Sequence, residues 1–217
     1  MSKRRTNDCI ASKVQKVEMN PFRPEHLKSY LDAAGARGVL PMFYLDLVSG
    51  LRKGELVALL WDALDIQNRT ISINKQYIKN PSGNLTLSRS KTETSVRRVS
   101  IPQETVDLLI WEHEKHLENP YMFPSSTTGE MYYPGSVVKL HEKILKNAGL
   151  EHIRFHDLGH SYAVAAIRSG DDIKTVQGNL GHATAPFTLD VYGHVTEQMK
   201  RSSADRMQQY IDNLKTG

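Results

Sequence analysis

Between Phe155 and Val195 the chain reads FHDLGHSYAVAAIRSGDDIKTVQGNLGHATAPFTLDVYGHV, a stretch dense in side chains able to act on a phosphate. His156 and His160 are four residues apart, which puts both imidazoles on one face of a helix. Leu180-Gly181-His182 reads as a helix end, with glycine in the left-handed turn position. Thr184 and Pro186 mark the start of a further short helix, since proline is tolerated in a first turn. Tyr192 closes the run and is a candidate nucleophile. A phenol with an ordinary pKa of about 10 is protonated at neutral pH, so it needs cationic or imidazole neighbours in order to attack.

Two other stretches supply cations. Gly50-Leu51-Arg52-Lys53-Gly54-Glu55 offers a guanidinium, a planar fork that stays charged and matches phosphate oxygens, with a carboxylate on the same helix side to fix it. Ser90-Lys91-Thr92, ahead of Val96-Arg97-Arg98-Val99, offers a flexible ammonium suited to protonating a departing oxygen.

The patterns H-x-L-x-H, L-G-H and T-L-D-x-Y-x-H-V, with the G-L-R-x-x-E box and the lysine ahead of a basic strand, resemble the tyrosine recombinases. This is the lambda-integrase-like family, and the match is nearest to integrases of conjugative transposons. Order and spacing agree over roughly residues 20 to 215. The resemblance implies an α+β, mainly α fold: a tyrosine-recombinase catalytic domain with a small three-stranded antiparallel sheet. It implies a site of Arg52, Lys91, His156 and His182 around a DNA phosphate attacked by Tyr192. The 3′-phosphotyrosine formed stores the bond energy, so rejoining needs neither a nucleotide cofactor nor a metal. Lys91 is expected on a hairpin tip, donating a proton to the leaving 5′ oxygen. The implied partner is duplex DNA, bound by a homotetramer on paired sites, with the C-terminal helix docking on a neighbouring protomer. Residues 1–20 are expected to form a basic, flexible lead-in and residues 21–217 the catalytic domain; the N-terminal core-binding domain of full-length relatives is expected to be absent. Arg97 and Arg98 are candidates for DNA backbone contacts, with an ordinary solvated basic face as the alternative.

One position departs from the pattern. Gly159 stands where the family carries a second clamping arginine, and glycine has no side chain to replace it. Losing one preorganised donor lowers a rate by about 10²–10³, so impaired cleavage is expected. Arg154, five residues earlier, is a poor substitute. Two alternatives follow: a DNA-binding relic or trapped form that does not cut, and a metal-dependent hydrolase with His156, His160 and His182 as zinc ligands. The metalloprotease motif requires Glu directly after the first histidine, where this chain has Asp157. His113-Glu114-Lys115-His116 has the wrong spacing for that motif.

These residues require elements to hold them. Apolar spacing predicts helices from Pro24 to about Ala34, from Pro41 to Val48, and from Arg52 through Leu60. Alternation predicts strands at Thr70–Ile73, Leu85–Leu87 and Val96–Ile101. Further helices are expected from Gln103 to Leu117, around Val137–Leu145, over His156–Ser169 and over Ile173–Asn179, the last capped by Asp171 or Asp172. A C-terminal helix over Thr196–Leu214 carries Met207, Tyr210, Ile211 and Leu214 on one face.

Composition sets the bounds. The 217 residues suffice for one sizeable domain. A net charge of +4 and a pI of about 9.1 suit a polyanionic partner. No apolar run is long enough for a membrane span. The basic start lacks the apolar core of a secretory signal. Cys9 is the single cysteine, which excludes an internal disulfide and makes a reducing, cytoplasmic setting the default.

Overall fold

The computed structural model describes residues 22–79, 82, 85–89, 96–181 and 197–216. The chain enters through α1 (Pro24–Ala36), where Pro24 occupies the first turn and Tyr30, Ala33 and Ala34 face inward. In α2 (Leu40–Ser49) most side chains are buried, and Gly50 ends the helix in the left-handed region at φ 61°. The short α3 (Lys53–Leu56) follows.

The helix expected from Arg52 through Leu60 stops at Leu56, and the reason is burial on every side. Leu56, Val57, Ala58 and Leu59 are each no more than 4 % exposed, so the run serves no single helical face. Tight turn bonds carry the chain past Leu56, and Leu59 then accepts the Met122 N–H at 3.0 Å while Trp61 donates to the Pro120 carbonyl at 3.1 Å. Pairing with that distant segment replaces the helix.

A three-stranded antiparallel sheet of order β1-β2-β5 is built from β1 (Leu64–Asp65), β2 (Thr70–Ile73) and β5 (Arg97–Ser100), with Ile71 opposite Val99. The strand expected at Leu85–Leu87 is not part of it. As β4 (Leu85–Arg89) it pairs instead with β3 (Lys75–Lys79) in a separate hairpin, Tyr77 opposite Leu87. Only two of the five β3 residues, Tyr77 and Ile78, are apolar, which hid it from the alternation test. Gly54 of α3 packs against β3 so closely that a Cβ there would lie 2.6 Å from the Tyr77 carbonyl oxygen.

The remaining helices are α4 (Gln103–His113), α5 (Pro134–Asn147), α6 (Asp157–Ser169), α7 (Ile173–Leu180) and α8 (Glu197–Thr216). Asp172 caps α7, its carboxylate accepting the Thr175 N–H at 3.0 Å. The main core centres on Tyr30, Phe43, His141 and Phe155. A second cluster joins α6 to α7 through Tyr162, Ala163, Ile167, Val176 and Leu180. On α8 the apolar face is open, with Met207, Tyr210 and Leu214 about 60 % exposed (59 %, 61 % and 65 %). No helix among the described residues is long and apolar enough to cross a membrane.

Candidate functional site

The site is built around the turn after α2. Gly50 adopts positive φ, and a Cβ there would lie 2.6 Å from both Leu180 and Tyr162. Glycine therefore lets α2 end against α6 and α7, and the chain leaves with Leu51 buried and Arg52 extended at the head of α3. Arg52 is fixed from two sides. Its backbone N–H and Nη1 donate to Glu55 at 2.9 and 3.0 Å, and Nη2 donates to the Gly181 carbonyl at 2.7 Å. The expected role of Glu55 in holding Arg52 is thus present in the geometry.

Glu55 is 1 % exposed and has a second cationic partner. Arg97 donates from Nη1 and Nη2 to its two oxygens at 2.9 and 2.8 Å, and from Nε to the Asn179 carbonyl at 2.6 Å. Burial alone would raise the Glu55 pKa, but the hydrogen bonds and charge of Arg97, then those of Arg52, outweigh it and hold the carboxyl below its ordinary value. Arg97 was a candidate for DNA backbone contact, with a solvated basic face as the alternative, and the structure turns its side chain inward. The Arg97 side chain is 7 % exposed, with its nitrogens committed inside the protein. Its β5 neighbour Arg98 is exposed. The signal was available: in a strand, residues two apart share a face, and Val99 and Ile101 are both buried, which puts Arg97 in phase with them.

Arg52 opens on a cleft of about 330 Å³ that is also lined by Gln76, Tyr77, Phe155, His156, Gly159 and Leu180. His156 is exposed just ahead of α6, its ring 5.0 Å from that of the buried His160 at 80°. Lys53, Gln76 and Tyr77 were not foreseen as lining residues; β3, which carries the last two, was itself missed. Gly159 also faces this space, and among the described residues a Cβ there meets only Leu180 Cδ2, at 4.0 Å. The position has room for a side chain. Arg154 does not supply one, because its guanidinium holds the buried Asp157 through Nε and Nη2 at 2.9 and 2.8 Å.

Three candidates, Lys91, His182 and Tyr192, lie outside the described residues, as does the short helix expected near Thr184 and Pro186. In sequence Lys91 falls between β4, which ends at Arg89, and β5, which begins at Arg97. Gly181, the residue before His182, ends α7 at φ 63° and gives its carbonyl to Arg52. Among the described residues no group of three His, Cys, Asp or Glu side chains is placed to hold a metal.

A cleft bearing a fixed guanidinium and an exposed imidazole can bind and polarise a phosphodiester. Comparison with known proteins identifies the family of the chain. Residues 25–199 match the phage integrase family. A tyrosine recombinase XerC-like protein of Caldanaerobacter subterraneus is 26 % identical over 93 % of this chain and 59 % of its own length. The ICEBs1 integrase of Bacillus subtilis is 30 % identical over 88 % of this chain and 54 % of its own length. The chain therefore spans little more than half of these relatives. Among solved structures, the Tn1549 transposon integrase in complex with circular intermediate DNA superposes with a TM-score of 0.74 at 20 % identity, covering 89 % of this chain and 67 % of that one. The XerA recombinase gives 0.70 at 22 % identity, covering 87 % and 63 %. With the family model covering most of its length, the chain belongs to the phage integrase family of tyrosine recombinases.

Proposed function

We propose that this chain is the catalytic domain of a site-specific DNA recombinase, cutting and rejoining duplex DNA through a 3′-phosphotyrosine on Tyr192. The observation that carries the reading is Arg52, held by Glu55 and Gly181 so that its guanidinium opens on the same cleft as His156 and Gly159. The Tyr192 oxygen attacks the phosphorus, its proton passing to a histidine, and the bond from phosphorus to the 5′ oxygen breaks. Arg52 stabilises the charge on the non-bridging oxygens, His156 and His182 donate to the same phosphate, and Lys91 protonates the leaving 5′ oxygen. Rejoining reverses these steps, so the bond energy is kept without a cofactor.

The Tn1549 integrase and a lambda integrase dimer were both solved on DNA, which supports duplex DNA as the partner here. The working form is a homotetramer on paired sites in the cytoplasm, with the open apolar face of α8 docking on a neighbouring protomer. Arg98 contacts the DNA backbone.

Gly159 favours a second reading, a form that binds and assembles without cutting. The two separate on a nicked suicide duplex carrying the element's recombination site, scored for a covalent protein–DNA adduct. The expected result is an adduct from Gly159→Arg that the added change Tyr192→Phe abolishes, and about 10²–10³ less from the parent chain. Strong cutting by the parent would refute the impairment. An adduct surviving Tyr192→Phe would remove the nucleophile assignment.

A further inference from the structure

Two arginines converge on Glu55, yet only Arg52 lines the cleft. Each Glu55 oxygen is shared. Oε1 accepts from Arg52 Nη1 and Arg97 Nη1, and Oε2 accepts from the Arg52 backbone N–H and Arg97 Nη2. Both arginines also reach the C-terminal end of α7, Arg97 to the Asn179 carbonyl and Arg52 to that of Gly181. That end carries the negative pole of the helix, where cations are favoured. Arg97 also lies directly beneath the α7 turn: a Cβ on Gly181 would be 2.7 Å from Arg97 Nη1.

We propose that Arg97 is a positioning residue for Arg52. The proposal rests on reading Arg52 as the phosphate clamp. Arg52 and Glu55 alone form a three-residue-spaced pair at the head of a one-turn helix, with the Arg52 side chain 39 % exposed. Such a pair does little to hold a long side chain in one rotamer. Arg97 changes this in two ways. Its fork spans both carboxylate oxygens, so the Glu55 plane cannot turn away from Arg52, and its Nε holds the helix end that offers Gly181 oxygen to Arg52 Nη2. Three elements, α3, β5 and α7, are thereby locked around one guanidinium. A lysine at position 97 would keep the charge but could not serve Oε1, Oε2 and the Asn179 oxygen together.

The test compares Arg97→Lys, Arg97→Gln and Lys143→Gln in the ¹⁵N-labelled chain. Three readouts are taken: thermal unfolding, the side-chain guanidinium NMR signals of Arg52, and titration with inorganic phosphate. Arg97→Lys is expected to unfold cooperatively while the Arg52 guanidinium signals collapse to solvent-averaged positions and phosphate binds about tenfold more weakly, the size expected for losing one well-held charged hydrogen bond. Lys143→Gln, on the exposed face of α5, is expected to match the parent in all three. Parent-like Arg52 signals and phosphate affinity in Arg97→Lys would overturn the proposal. So would loss of folding in both Arg97 variants, which would make Arg97 a fold residue only. If the parent fails to bind phosphate while Arg97→Lys still releases the Arg52 signals, the positioning role stands and the clamp reading falls.

Discussion

The Tyr30 hydroxyl donates to Nδ1 of His141 at 2.8 Å, and the opposite ring nitrogen, Nε2, donates to the Ile153 carbonyl at 2.8 Å. A carbonyl oxygen can only accept, so Nε2 carries the proton and Nδ1 is the acceptor of a neutral ring. Because His141 is fully buried, this one imidazole ties α1 to α5 and to the segment that leads into α6 and His156.

Acid should break that link. Burial holds the His141 pKa below its ordinary value, more than the Ile153 bond raises it. A group whose folded pKa is depressed in this direction stays neutral in the fold while the unfolded chain takes up a proton, so stability falls as pH drops through the ordinary imidazole range near about 6.5. Thermal unfolding from pH 7.5 to 5.5 is expected to show this fall, and His141→Leu is expected to flatten it. The same variant strands the Tyr30 hydroxyl and the Ile153 carbonyl, costing about 2–5 kcal/mol at pH 7.5. An equally steep profile in the variant would assign the acid sensitivity to other histidines.

Two glycines should respond oppositely to one substitution. At Gly54 an added Cβ lies 2.6 Å from the Tyr77 carbonyl oxygen, a backbone atom that can retreat only by moving β3. Gly54→Ala is expected to destabilise by about 1–3 kcal/mol and to disturb the cleft, which both residues line. Gly178 sits exposed in α7, with nothing among the described residues within 4 Å of such a Cβ. There the helix propensity of alanine decides, and Gly178→Ala is expected to stabilise by about 0.5–1 kcal/mol. Denaturant midpoints measure both, and a stable Gly54→Ala would show that α3 and β3 can part.

How much of this was legible depended on whether an element used one face or all of them. The half-buried helices α1, α5 and α6 show their spacing, and the Arg52–Glu55 pair follows from three-residue proximity on a helix. The run Leu56–Leu59 misled because burial on all sides erases helical periodicity, and long-range pairing with Met122 ended the helix. In β3, Tyr77 packs partly buried against the core, but its neighbours Lys75, Gln76 and Lys79 leave no apolar alternation to read. The Arg97–Glu55 contact joins residues 42 apart, and only the phase of β5 hinted at it.

Glu55 should contribute to the acid limb of unfolding. Its carboxyl is held below the ordinary range, chiefly because Arg97 and Arg52 outweigh burial. The sign is that of a depressed acid: its stabilisation is complete above the unfolded pKa and lost as pH falls through the lower folded value. Glu55→Gln removes the charge facing two guanidiniums, of which the Arg97 side chain is only 7 % exposed. Breaking such a pair from one side costs about 3–5 kcal/mol. The expected outcome is a lower unfolding midpoint at pH 7 and a flatter dependence below pH 5, and a variant as stable as the parent would show that the two arginines hold each other's places without it.

Gly159→Arg should add a phosphate contact without disturbing the fold. Among the described residues the Cβ meets only Leu180 Cδ2, at 4.0 Å, and the position opens on the cleft that Arg52 and His156 line. Replacing a glycine inside α6 favours the helix by about 0.5–1 kcal/mol, so the unfolding midpoint is expected to hold or rise. Binding to a mixed-sequence duplex of about 30 base pairs, measured by fluorescence anisotropy across a salt series, should steepen. Each newly neutralised phosphate makes the slope of log affinity against log salt more negative by about 0.9. A change near that size, absent from Gly159→Gln, would mean that the added guanidinium reaches the backbone. An unchanged slope with retained stability would mean that position 159 faces away from bound DNA, and the vacated-clamp account of this chain would have to be abandoned.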